Sequence, residues 1–474
     1  MTKRTDTLKL GLFLRATGHH LAAWRDTGSQ ADAGVRLDHY VDLARKAEAA
    51  GFDTLFLADS VSIRGIDAPT FDRVIAPSLT FEPLTLLGAL AAVTSRIGLI
   101  ATASTSYSEP YNLARQFASL DHISGGRVGW NLVTSSDAEA AKNFGGADPR
   151  LQAPHADRYS RAREFHQVVS ALWDSWEDDA LLLDKANGVF IDRSKLHFAN
   201  HQGEHFNVRG PLNILRSPQG QPVLVQAGAS EDGRALAAST AEAIFAAHQS
   251  LADAKAFYAD VKSQAAQLGR NPEHIKILPG VTIFTAPTSA EAHAKHRRLQ
   301  DLVHPSVGLA LLSSLIGGID LTGLPLDGPL PTNLPATNAS KSRQKLIVQL
   351  ASEGLSLREL YLRLAGARGH WTLVGSPEEV VDQLQAWFEG HGADGFNILP
   401  PTYPEGLDDF IALILPELRR RGLVPADGPQ GKTLRERLGL PYPQHPAQQR
   451  RDAITPATPA EPVVDTRREW SIAI

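Results

Sequence analysis

The chain has 474 residues, 43% of them hydrophobic, with 47 basic against 52 acidic side chains and a formal net charge of −5. That balance gives no broad field to hold nucleic acid or an anionic membrane. With no cysteine, disulfides, zinc-thiolate sites and a cysteine nucleophile are excluded.

Leu8–Leu14 reads as a first strand. Lys9 breaks its apolar run and Arg15 follows it, so it lacks the apolar stretch of a signal peptide. Leu37–Ala50 carries apolar residues at helical spacing, with Gly51 as a stop signal. Thr54–Ala58 is a second strand ending at Asp59, Pro83–Thr94 a helix and Ile97–Ala103 a third strand. Thr94, Ser95 and Arg96 make the Leu84–Ala103 region too polar at its centre for a membrane span. The expectation is a soluble, cytoplasmic protein.

Tyr111–Leu120 is helical, and Ser124-Gly125-Gly126 turns into a fourth strand, Val128–Val133. A long helix runs from about Asp157 to Trp176, followed by a mixed insertion over 177–220. Pro222–Ala227 is the fifth strand, with a helix from Ser230, and Ala243–Ala247 the sixth, with a helix over 251–268. Ile275–Phe284 is the seventh, with a helix from Ser289, and Gly395–Leu399 the eighth, with a helix over 407–421. The segment 304–340 is rich in Gly, Pro, Leu and Ser without a clear period, which suits a lid or a disordered insertion.

Eight strand–helix alternations predict an α/β fold, a closed (β/α)8 TIM barrel. The competing open doubly wound sheet lacks its Gly-x-Gly-x-x-Gly signature here. The expected layout is one barrel over 1–440, with insertions near 177–220 and 304–345, and a polar, Pro-rich tail over 441–474.

Side chains at the carboxyl ends of barrel strands share one mouth. Those positions hold Asp59, Thr102, Ser104, Thr105, Asn131, Thr134, Ser135, Ser136, Ser230 and Asn397. A rim of hydroxyls and amides with one clean carboxylate argues against a metal-dependent hydrolase. It suits a neutral heteroaromatic with hydrogen-bonding edges, and such groups also satisfy loop backbone. Ser230 is placed to cap a helix whose free N–H groups form an anion site. His155 and Tyr159, four apart, share one helix face. His19 and His20 follow strand one, where a histidine can move protons. No nicotinamide fingerprint, P-loop or nucleophile elbow is present.

Longer stretches then carry a resemblance: GFDTLFLADS (51–60), STSYSEPYNLARQFASLDHISGGRVGWNLVTS (104–135), WEDDAL (176–181), VQAGASEDGRALAA (225–238), DGFNILPP (394–401) and LPELRRRGL (415–423). Over roughly 8–440 the chain resembles the bacterial luciferase-like monooxygenases, in the branch with nitrilotriacetate, dibenzothiophene-sulfone and long-chain alkane monooxygenases. The resemblance implies two-component chemistry. A separate NAD(P)H:flavin reductase supplies reduced FMN (FMNH2), and the barrel uses it with O2 to oxidise a small organic, organosulfur or xenobiotic substrate. It also implies a homodimer or homotetramer. Alternatives on the same barrel are a deazaflavin-dependent oxidoreductase and a non-catalytic flavin-binding protein.

Carried over by residue, the resemblance puts Asp59, Thr102, Ser104, Asn131 and Ser135 near the flavin ring. His155, Tyr159 and Ser230 hold the ribityl chain and phosphate, no metal is required, and His19 matches an active-site histidine of the alkane-oxidising relative. Ser136 and Ala16 stand where that relative has histidine and cysteine, so its substrate is not expected to carry over.

Overall fold

Eight short strands alternate with helices: β1 (Lys9–Phe13), β2 (Thr54–Leu57), β3 (Gly98–Ser104), β4 (Val128–Val133), β5 (Val223–Gln226), β6 (Ala243–Ala246), β7 (Lys276–Thr285) and β8 (Gly395–Ile398). Each pairs in parallel with the next, and β8 pairs back onto β1 with Lys9 opposite Gly395. The sheet is a closed eight-stranded barrel, as the alternation predicts. The computed structural model describes residues 4, 6–63, 70–74, 78–135, 137–144, 155–228, 230–331, 333–334 and 341–454.

The period of two along each strand sorts the side chains. Leu10, Leu12, Leu55, Leu99, Trp130 and Phe396 face outward and share one core with helix residues such as Tyr40 and Phe117. Phe13, Phe56, Ile100, Val223 and Val225 face inward. Phe13, Phe56 and Phe245 meet edge-on or tilted, with centroids 5.0 to 5.6 Å apart, and plug the interior. Helices Leu37–Ala50 and Pro110–Ser124 stop at Gly51 and Gly125, whose φ values of 89° and 71° suit glycine.

The amino end of the barrel is closed from far along the chain. A short helix, Leu434–Leu438, inserts Leu434 and Leu438 into the inward-facing core. Gly98 leaves the room for it, since a Cβ there would meet Leu434 Cδ1 at 2.5 Å.

Three regions depart from expectation. The segment from 304 is not periodless coil throughout: Pro305–Leu315 is a helix, joined by Lys341–Ser352 and Leu357–Ala365. Together they build a second core with Leu21 and Ala22 of the loop after β1. Pro305–Leu315 hides its period because it is apolar on most faces. A ninth strand, Trp371–Gly375, extends the sheet along the upper half of β7. The 177–220 insertion holds two small hairpins, Leu181–Asp184 with Val189–Ile191 and His201–Gln202 with Asn207–Val208.

Tyr442, Pro443 and His445 dock the following chain onto this insertion. Arg216 bonds the Tyr442 hydroxyl and Pro443 carbonyl, and His445 Nε2 donates to the Asp174 carbonyl at 2.9 Å. Glu177, His197 and His445 converge there within metal-ligand range. Both His445 nitrogens are already used, because Nδ1 accepts from the Ala447 N–H. Arg451 bonds both Glu177 oxygens. The cluster is a tether.

Candidate active site at the carboxyl end of the barrel

Inward parity on β3 and β4 brings Thr102 opposite Asn131. Asn131 Nδ2 donates to Thr102 Oγ1 at 2.8 Å, while its carbonyl oxygen is buried with no protein partner among the described residues. A buried amide oxygen without a donor costs free energy unless a ligand supplies one. Ser104 is buried one step further up, and its Oγ accepts from the Ser106 N–H at 3.1 Å. Ser135 is half-buried, with its carbonyl accepting from Ser106 Oγ. Asn397 is a second buried amide with an unpaired oxygen, deeper in the barrel, where Gly11 leaves room beside it.

Across the rim, Ser230 caps helix Glu231–Thr240 by accepting from the Gly233 N–H at 3.1 Å. The buried Tyr159 reaches it from helix His155–Trp173, with the two oxygens 3.5 Å apart. Both hydroxyls overlook backbone without side chains: a Cβ on Gly233 would lie 3.0 Å from Ser230 Oγ and 3.2 Å from the Tyr159 oxygen. Two hydroxyls, a Cβ-free floor and the first turn of a helix make a cradle for an anionic tail. Glu231 and Asp232 in the same turn oppose an anion, so the hydroxyls have to outweigh them. The His155 side chain and Ser136 lie outside the described residues.

His19 is buried at the end of β1, edge-on to Phe13, and its Nε2–H donates to the Phe13 carbonyl at 2.9 Å. Burial, with the charges of Arg15 and Arg368, holds its pKa well below the ordinary value. The ring is therefore neutral, and Nδ1 is the nitrogen left to accept a proton. His20 is likewise lowered to about 3, mainly by burial. Asp59 lines a cavity with Arg15 and Tyr40, and desolvation raises its carboxyl above the usual range.

Thr102, Ser104, Asn131, Tyr159, Ser230, Asp59 and His19 thus all sit at the carboxyl end. Arg15, Arg368 and His370 were not expected there. His370 stacks on Phe245 of the plug at 4.9 Å. Only Arg15 left a sequence signal, a charge directly after an apolar strand.

The model of the family described as luciferase-like monooxygenase matches residues 16–395. N-acetyl-S-(2-succino)cysteine monooxygenase of Bacillus subtilis (strain 168) is 51% identical over 94% of this chain and 99% of its own. Nitrilotriacetate monooxygenase component A of Aminobacter aminovorans is 48% identical over 92% of this chain and 97% of its own. The crystal structure of DmoA from Hyphomicrobium sulfonivorans superposes with a TM-score of 0.84 at 34% identity, covering 96% of this chain and 99% of that one.

Proposed function

We propose, because this chain belongs to the luciferase-like monooxygenase family, that the barrel mouth binds reduced FMN made by a separate NAD(P)H:flavin reductase and uses it with O2 to oxidise a small organic molecule. The observation that carries the cofactor assignment is the Tyr159–Ser230 pair over its glycine floor at the end of β5. Tyr159 and Ser230 hold the phosphate, with His155 assigned beside them. The Asn131 carbonyl accepts a ring N–H, and Thr102 fixes that amide from behind. Ser104, Ser135 and Asp59 line the ring's edges.

Bound reduced flavin supplies the electrons that activate O2. The protein's part is to position and to exclude water. The Phe13–Phe56–Phe245 plug closes the floor, and the helices that follow 304 pack on Leu21 and Ala22, next to His20 in the chain. His19 offers Nδ1 as a proton acceptor. One barrel unit over 1–440 contains the whole site, and the assembly we assign is a homodimer or homotetramer.

The test is the affinity for reduced FMN without oxygen, by anaerobic fluorescence titration. Tyr159→Phe with Ser230→Ala should weaken binding at least ~10-fold, because a hydrogen bond to a charged group contributes about 1.5–3 kcal/mol. An unchanged affinity removes the phosphate site from this place.

A further inference from the structure

We propose that Arg15 is a substrate-recognition residue and that the molecule oxidised in this mouth is a small carboxylic acid, with a carboxylate seated on the Arg15 guanidinium. The inference rests on the assignment of this mouth as a monooxygenase site.

Position comes first. Gly11 and Phe13 point into the barrel, and Arg15 follows two residues beyond the end of β1, where the Leu14 N–H still bonds the Phe56 carbonyl. The side chain lines the cavity that Phe13, Tyr40 and Asp59 also line. Among the described residues it has no hydrogen-bond acceptor and no counter-ion. The Tyr40 phenol acts on it, and the Arg15 charge in turn acts on His19.

Asp59 lines the same cavity, but its carboxyl is raised, whereas a paired guanidinium would lower it. Two other buried arginines of this chain are committed, although Arg437 at the amino end is also buried with its Nε unbonded. Arg216 pairs with Asp174 and Asp178, and Arg435 with Glu242. A desolvated guanidinium held without a partner is costly, and a planar carboxylate matches its fork.

The charge is not surplus from the cofactor's phosphate. That cradle is at the end of β5, four strands from β1 on either side of an eight-stranded ring, so the two lie across the mouth from each other. Arg368 arrives from the segment before the ninth strand, and its charge bears on His19 together with that of Arg15. The charges of two guanidinium groups therefore act on the histidine nearest the plug, with the Asp59 carboxyl the acidic group in the same cavity.

Isothermal titration with the FMN-loaded enzyme tests this, using tricarballylate and its uncharged trimethyl ester as probes. The acid should bind and the ester should bind at least ~10-fold more weakly. Arg15→Met should weaken the acid at least ~10-fold, Arg15→Lys should restore part of it, and both variants should keep wild-type FMN affinity and thermal midpoint. No binding of the acid, equal binding of acid and ester, or an undiminished Arg15→Met variant overturns the proposal. Loss of FMN affinity in Arg15→Met assigns the arginine to the cofactor and also overturns it. Failure of the flavin assignment looks different: Tyr159→Phe with Ser230→Ala would leave FMN binding intact while the acid still depended on Arg15.

Discussion

The two ends of this barrel hold their buried arginines differently, although Arg437, Asp53 and Asp121 at the amino end each keep one atom unbonded. At the amino end, Arg127 is buried and gives its guanidinium to the carbonyls of Ser124, Ile97, Ala91 and Thr94 and to the Thr94 hydroxyl. Arg435 grips Glu242 with two nitrogens and bonds the carbonyls of Gln221 and Pro441. At the carboxyl end Arg15 and the Asn131 carbonyl are buried or half-buried without such partners among the described residues. A cation enclosed by its own backbone holds the fold. At the mouth, a polar group without a protein partner lies where a ligand can reach it, whereas the unbonded atoms of the amino end are enclosed by the chain.

The strongest way to break this comparison is at Arg127. Arg127→Met strands several buried carbonyls and should cost about 3–5 kcal/mol in urea unfolding, with little change in FMN affinity of the folded fraction. A loss under about 1 kcal/mol would show that the amino end does not depend on its internal bonds.

Asp121 sharpens the picture by pH. It lies at the same end, accepts from the Val128 N–H and Gln219, keeps one oxygen unbonded, and burial pushes its carboxyl up to about 6. A carboxyl raised in the folded state binds its proton more tightly there than in the unfolded chain. Its contribution is therefore full below about pH 4 and is lost as pH rises through about 6. Asp121→Asn should remove a decline on the order of 2–3 kcal/mol between those limits, read as the difference between two urea series. Identical pH profiles would contradict the shift.

Smaller effects belong to the mouth. Asn131→Val gives up the bond to Thr102 and an unpaired oxygen together, so stability should move by no more than about 1 kcal/mol. Affinity for reduced FMN should fall ~5–10-fold in the same titration. Smallest of all, Arg15→Met should leave the thermal midpoint unchanged or slightly higher, since no bond to the described residues is lost. A drop like that of Arg127→Met would erase the distinction between the two ends.

Most of the barrel was legible because its signals are local. Alternation in Val128–Val133, the Gly51 stop and the Ser230 cap each depend on a few neighbouring residues, and the structure has each one. Tyr159 and Ser230, far apart in sequence, come within 3.5 Å of each other. What stayed hidden depends on distant partners. Pro305–Leu315 has no polar face to mark a period, because Leu309 and Leu312 pack into a core completed by Leu357 and Leu360. Trp371–Gly375 is five residues long and becomes a strand through the free upper edge of β7. The lack of a partner for Arg15 among the described residues is a property of three-dimensional surroundings that no spacing reveals.

The helix at Leu434–Leu438 has a consequence for how the molecule is made. Its leucines fill the base of the cylinder, and β1 waits for β8 to close the ring. Both come late from the ribosome, so the greasy inner walls of the first strands stay uncovered through most of synthesis. Such a nascent chain calls for a chaperone's shelter, and a stop codon a little before Thr433 should leave an open-bottomed product that clumps rather than a shortened enzyme.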